Sequence, residues 1–269
     1  MQKLGHIDGG QAFDWGRASE DYAKYRDIYP EEFYRRIADL GLCVSGQAAL
    51  DLGTGTGVLP RNMYHYGAKW TGTDISCGQV EKAKLLAAER GQDINFFSAP
   101  AENTGLPDGA FDVITACQCF FYFDKEKVLP EIARMLEPGG HFLILFMAWL
   151  PGECEIAARS EELVLRHNPL WSGGGMKRIK YSVPEWSKEL FLCENIITYD
   201  LNVPFTRQSW HGRMLACRGT GASMDAEAMS AFVREHAAML EKIAPETFDI
   251  PHFASIHDFK GKKQKGAHS

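Results

Sequence analysis

Between residues 48 and 150 short apolar runs alternate with longer amphipathic stretches. The run Ala48-Ala49-Leu50-Asp51-Leu52 enters a glycine turn and a helix to about Tyr66, and Lys69 to Thr73 precedes a helix over Gln79 to Arg90. Ile94 to Phe97 and Phe111 to Ala116 follow as strands, Lys125 to Leu136 as a helix and His141 to Met147 as a strand. Strands separated by helical stretches predict βαβ units and a parallel sheet. The run Phe142-Leu143-Ile144-Leu145-Phe146 shows no period-2 alternation, as expected of a strand covered on both faces.

Beyond Leu150-Pro151 the rhythm changes. An acidic helix over Glu153 to His167 leads to a glycine-rich linker, Ser172-Gly173-Gly174-Gly175, and a helical stretch Val183 to Phe191. A strand Asn195 to Phe205, helices over Arg207 to Arg218 and Asp225 to Ile243, and a last strand Phe253 to Phe259 complete the pattern. In the long helix Ala228, Phe232, Met239 and Ile243 recur at near-helical spacing. Two strands separated by helices after a parallel set predict an antiparallel edge. Residues 1–29 mix aromatic and charged positions, and Tyr29-Pro30-Glu31-Glu32 opens a helix with proline in its first turn.

Composition narrows the partners. With 29 Lys+Arg against 35 Asp+Glu the net charge is −6, which gives counterion release from nucleic acid little to draw on. The one basic run, Lys260 to Lys265, reads as a solvated chain end. Seven scattered cysteines form no disulfide framework and predict a reducing, cytoplasmic setting. Cys117-Gln118-Cys119 has the wrong spacing for zinc or redox chemistry and reads as alternating strand positions, and His252 with His257 falls on opposite faces of a strand, so no metal is expected. No apolar stretch approaches the roughly 20 residues of a membrane span, so neither nucleic acid nor a membrane is the expected partner.

The most informative segment is Asp51-Leu52-Gly53-Thr54-Gly55-Thr56-Gly57-Val58, where a strand runs into three alternating glycines and then a helix. Glycine permits positive φ and lets a ligand approach bare backbone. A dinucleotide loop needs its third glycine one residue later, where Val58 stands, and Asp51 would repel a phosphate but hold an ammonium. At the end of the next strand Asp74 is placed to accept two ribose hydroxyls.

This segment resembles the first motif of class I S-adenosylmethionine-dependent methyltransferases, acid-x-G-x-G-x-G, with Asp74 at the acid closing the second strand. The stretch Ala101 to Ile114 is similar to the family's approach to strand four, and Leu136-Glu137-Pro138-Gly139-Gly140-His141-Phe142 to its turn before strand five. The Tyr/Arg/Tyr-Pro lead-in over Ala18 to Pro30 resembles the small-molecule branch that includes trans-aconitate and menaquinone or ubiquinone methyltransferase-like proteins. The resemblance implies one α/β domain over 1–269: a doubly wound, seven-stranded, mostly parallel Rossmann-like sheet with an antiparallel edge hairpin and a helical lid insertion. Within it, 1–30 would be an N-terminal lid segment, 48–150 the cofactor-binding core, 150–220 a substrate-side insertion and 221–269 the C-terminal helix and last strand.

The resemblance also implies S-adenosylmethionine as cofactor and S-adenosylhomocysteine as product. Gly53, Thr54 and Gly55 would contact the methionine part, with Asp51 and Gln118 beside it; Asp74 would hold the ribose and Ile75, Ser76, Ala101 and Glu102 the adenine. Tyr22 and Arg26 would close over the carboxylate end. The branch's base position is occupied by Phe121, which leaves Tyr122 and His211 as catalytic candidates. Trp149, Trp171, Tyr122, His211 and Arg213 are the expected acceptor-binding residues, with Arg213 or Arg207 as anion anchor. The expected reaction is methyl transfer to a small-molecule acceptor by in-line displacement. Two alternatives remain: an NAD-type oxidoreductase, opposed by Val58 and Asp51, and a non-catalytic module that binds the cofactor or its product.

Overall fold

The computed structural model describes residues 3–14 and 24–262. Its chain forms a seven-stranded sheet in the order β3-β2-β1-β4-β5-β7-β6. The strands are β1 (Ala48–Leu52), β2 (Lys69–Asp74), β3 (Asn95–Ser98), β4 (Phe111–Cys117), β5 (Leu136–Trp149), β6 (Phe191–Thr206) and β7 (Thr247–Gly261). Strands β1 to β5 pair in parallel, with Leu52 opposite Thr73 and Asp51 opposite Thr115. β6 and β7 supply an antiparallel pair, with β7 inserted between β5 and β6. The doubly wound, Rossmann-like reading with an antiparallel edge therefore holds, and β6 is the outermost strand.

Eight α-helices connect the strands among the described residues: α1 (Glu31–Ala38), α2 (Val58–Met63), α3 (Cys77–Glu89), α4 (Lys125–Met135), α5 (Glu155–His167), α6 (Ser187–Leu190), α7 (Arg207–Leu215) and α8 (Ala226–Ile243). α4 shows why they form where they do. The Asp124 carboxylate caps its first turn by accepting the Glu126 N–H, and Val128, Leu129, Ile132 and Met135 recur at helical spacing on the buried face.

The contact pattern divides the chain into two compact units. The first comprises Pro30–Phe146, Lys180–Thr198 and the chain from Ser255; the second comprises the residues before Pro30, Met147–Ile179 and Tyr199–Ala254. In the first unit β1 and β4 are buried on both faces. An aromatic cluster anchors it, with Phe142 5.5 Å from Phe120 and 5.9 Å from Phe191, and Trp186 5.1 Å from Phe259. In the second unit α5, α7 and α8 bury Val164, Trp210, Phe232 and Leu240.

Some expected boundaries move for identifiable reasons. The Glu137-Pro138-Gly139-Gly140 turn is absorbed as an irregularity of β5, whose pairing with β4 jumps from Phe111 opposite Leu136 to Val113 opposite His141. The helix expected over Val183 to Phe191 shrinks to α6, because Pro184 biases its predecessor away from helical geometry and Phe191 already belongs to β6. The Ser172 to Gly175 run is packed rather than a plain linker: a Cβ on Gly173 would lie 2.5 Å from the Trp171 indole nitrogen.

Candidate functional site

Sheet order reverses between β1 and β4, and in open α/β sheets the crevice beyond the carboxyl ends at such a point is the ligand site. Most of the predicted cofactor residues converge there. Gly53, at φ 63°, leaves β1 in the left-handed region, and a Cβ on it would meet the Cys119 sulfur at 2.9 Å. Gly57, at φ 73°, is the N-cap of α2, and a Cβ there would strike the Phe96 ring at 2.6 Å. The third glycine is thus fixed by β3 as well as by the turn.

Asp74 closes β2 with its carboxylate turned back to this loop. One oxygen accepts the Gly55 N–H at 2.9 Å and the other the Ser76 N–H at 2.8 Å. Burial raises its carboxyl above the ordinary range, against those two bonds. Each oxygen keeps a lone pair for a further donor, the requirement for gripping a vicinal diol. Ile75 beside it is 59% exposed, an apolar face available for an adenine ring. Ala101 is buried, and the Glu102 carboxylate accepts the Asp124 N–H at 2.9 Å, so one of its oxygens is occupied at the start of α4.

Asp51 is 2% exposed and accepts the Thr115 hydroxyl at 2.6 Å. Burial pushes its carboxyl up to about 7, with Asp74 adding to the rise and Thr115 opposing it. An ammonium brought beside it would reverse that shift. β4 ends at Cys117, and Gln118 takes φ 64°, a conformation uncommon outside glycine and a frequent mark of functional turns. Cys119 consequently leaves the strand and donates its S–H toward the Leu52 carbonyl at 3.0 Å, so the two cysteines are not alternating strand residues as the pattern suggested. Tyr122 sits in the next short turn with its ring 4.3 Å from Phe121. These residues fit an adenosyl amino acid: a cradle closed to side chains, an acid for the ribose, an apolar ledge and an acid for an ammonium. Tyr22 lies outside the described residues.

The remaining candidates belong to the second unit. Trp149 is buried, donates its indole N–H to Glu161 at 2.6 Å and lies edge-on to Trp210 at 5.5 Å. Glu161, raised by burial, also accepts the Gly175 N–H at 2.7 Å. Trp171 is buried against Gly173 and Gly219. Arg207 is engaged by Glu241 at 3.0 Å, Glu246 at 3.5 Å and the Ala244 carbonyl, which spends it on the end of α8 rather than on a ligand.

His211 stands at the end of a relay that the sequence did not reveal. Ser160 Oγ donates its one proton to the Ile156 carbonyl at 2.7 Å, so it accepts from Trp210 Nε1 and from His236 Nε2, both at 2.9 Å. Burial, with His211 beside it, pushes His236 down to about 3, so the ring is neutral and its Nδ1 carries a lone pair. His211 Nδ1, 2.7 Å away, is therefore the donor, which leaves Nε2 as the basic nitrogen of His211. The sequence signal was a histidine within an apolar stripe, Phe232, His236 and Leu240.

Residues 50–144 match the methyltransferase domain family. The chain is 32% identical over 203 residues to the uncharacterised methyltransferase YcgJ of Bacillus subtilis, covering 71% of this chain and 76% of that protein. It is 39% identical over 114 residues to the demethylmenaquinone methyltransferase of Thermus thermophilus, covering 41% of this chain. It spans 52% of that relative's length. The crystal structure of YcgJ shares the fold, with a TM-score of 0.52 at 21% identity over 87% of this chain and all of that one. The chain belongs to the class I S-adenosylmethionine-dependent methyltransferase family. The oxidoreductase alternative finds no support.

Proposed function

We propose that the protein transfers the methyl group of S-adenosylmethionine to a small-molecule acceptor by in-line displacement. The observation that carries the reading is the Asp74 carboxylate, fixed by the Gly55 and Ser76 N–H groups at the end of β2 beside the glycine cradle. When bound, the cofactor supplies a sulfonium methyl already activated for attack, so the chain's task is orientation, worth up to about 7–11 kcal/mol of barrier. Asp74 would accept the ribose hydroxyls, Asp51 the ammonium, and the loop backbone at Gly53, Thr54 and Gly55 would line the methionine part. Arg26 and Gln118 complete the proposed cofactor set.

His211 is the proposed base for an acceptor that must lose a proton, through the Nε2 nitrogen that the relay leaves basic. Tyr122, Trp149, Trp171 and Arg213 are the proposed acceptor-binding residues. One relative's name specifies a demethylmenaquinone, which supports a ring-bearing organic acceptor here. The seven cysteines form no disulfide among the described residues, which supports a cytoplasmic setting. Among the described residues no helix is long and apolar enough to cross a membrane.

Calorimetry with S-adenosylmethionine, S-adenosylhomocysteine and NAD tests the reading. Tight binding of the first two, lost by about tenfold or more in Asp74→Ala, is expected. A preference for NAD, or no binding, overturns it. Cofactor binding without methyl release to any acceptor in a ring-phenol and carboxylic-acid screen favours the non-catalytic binding module instead.

A further inference from the structure

Arg213 is a buried cation that the fold leaves without a counter-charge. It lies on α7, is 5% exposed, and its guanidinium carbon sits 4.8 Å from the centre of the Trp149 ring. Nη1 donates to the Cys217 sulfur at 3.1 Å, a weak acceptor, and Nε is buried with no acceptor. Among the described residues no carboxylate lies within ion-pair distance of it. The same unit treats another buried arginine differently, since Arg218 is matched by Asp8 at 2.7 Å. Burial, with the positive charge of Arg26 next, pushes the Arg213 guanidinium below its ordinary range. Beside it His252 donates Nδ1–H to the Ile250 carbonyl at 2.8 Å and keeps a buried, unpartnered Nε2.

A buried charge left unpaired costs several kcal/mol, and a fold that carries one has a ligand to complete it or loses stability for nothing. We infer that Arg213, with Arg26 beside it and Trp149 behind it, is the anchor for a carboxylate, and that the group it completes belongs to a ligand with an apolar body. The planar fork of a guanidinium matches a carboxylate, and the Trp149 ring packed against it suits an aromatic or alkyl remainder. Two molecules can bring that carboxylate: the acceptor, which makes this an acid-methylating or acid-anchored reaction and rests on the function proposed above, or the cofactor through its own amino-acid end.

The test compares benzoate with benzamide at constant ionic strength, by thermal shift on the full chain, in wild type, Arg213→Met and Arg213→Lys. At about ten times its dissociation constant benzoate is expected to raise the wild-type melting temperature by about 3 °C while benzamide does not. Arg213→Met loses the difference, Arg213→Lys keeps part of it, and ligand-free Arg213→Met melts no lower than wild type. Equal shifts with acid and amide, or a benzoate shift that survives in Arg213→Met, overturn the inference. Calorimetry with S-adenosylhomocysteine separates the sources. An affinity unchanged in Arg213→Met assigns the carboxylate to the acceptor, and a loss of about tenfold or more assigns it to the cofactor. Failure of wild type to bind S-adenosylhomocysteine sinks the methyl-transfer reading alone and leaves the benzoate comparison intact.

Discussion

At the scale of single residues the site is governed by buried charge. Asp51 is a carboxyl whose folded value, about 7, lies far above its ordinary 3.8. A raised folded value means that the fold favours the protonated form; the resulting stability is complete below pH 3.8 and lost as pH rises through 7, on the order of 4 kcal/mol in all. Asp51→Asn should therefore raise the melting temperature of the ligand-free protein at pH 8 by several degrees and weaken S-adenosylmethionine, a trade of affinity for stability read by thermal shift and calorimetry. On the proposed pairing of the cofactor's ammonium with the ionised Asp51 carboxylate, wild-type affinity for the cofactor should fall by about tenfold per pH unit below 7. A flat profile from pH 5 to 8 would detach Asp51 from the ammonium. The His211 relay makes a second prediction that needs no acceptor. In ¹⁵N-histidine spectra His211 should be the Nδ1–H tautomer, and His236→Phe should redistribute it toward Nε2–H by removing the acceptor. An unchanged tautomer would mean that the relay does not set it. Asp51 could be singled out in the sequence because it precedes the glycine turn, and Asp74 because it closes the next strand. Thr115, Ser160 and His236 could not, since their roles come from partners 64, 50 and 25 residues away.

At the scale of elements, periodicity and glycine spacing located the parallel strands to within a few residues, most plainly β1 and β4, which are buried on both faces and largely apolar. It served less well after residue 150. β7 runs from Thr247 to Gly261, well beyond the stretch that looked like a strand, because Pro251 reads as a break yet uses only its carbonyl, which accepts the Leu150 N–H at 2.9 Å. Pro204 is tolerated in β6 for a related reason, since β6 lies at the sheet edge. The helix carrying both His211 and Arg213, α7, starts with a reciprocal cap: Thr206 Oγ1 accepts the Ser209 N–H at 3.0 Å and Ser209 Oγ accepts the Thr206 N–H at 2.9 Å. Thr206→Ala should lower stability by about 1 kcal/mol in urea unfolding. Thr206→Ser, which keeps the acceptor, should recover most of it; equal losses in both would show that the methyl packing of Thr206 matters and the cap does not.

At the scale of the molecule, the described cofactor candidates lie in the first unit apart from Arg26, whereas the acceptor candidates lie in the second apart from Tyr122. The second unit is assembled from three separate stretches of chain, and one carboxylate joins them. Asp8 accepts from Arg218 at 2.7 and 2.9 Å and from the Ser172 N–H and hydroxyl at 2.7 and 2.8 Å, so the residues before Pro30, the 147–179 segment and the 199–254 segment meet on a side chain only 1% exposed. Removing one partner of a buried pair leaves the other charge stranded, at a cost of about 3–5 kcal/mol. Hydrogen exchange on Asp8→Asn should then show faster amides through α5, α7 and α8 while β1 and β4 keep their protection. Acid should do the same in the wild type, with a defined sign. Burial alone would raise Asp8, but Arg218 and Ser172 outweigh it and hold the carboxyl below its ordinary 3.8. The stability it contributes is present above that value and is lost as pH falls through the lowered one, so opening of the second unit should begin below about pH 4. If Asp8→Asn leaves exchange in α5, α7 and α8 unchanged, the three stretches are held together by their apolar faces, Phe232 and Trp210 foremost, and the Asp8 tie adds only direction.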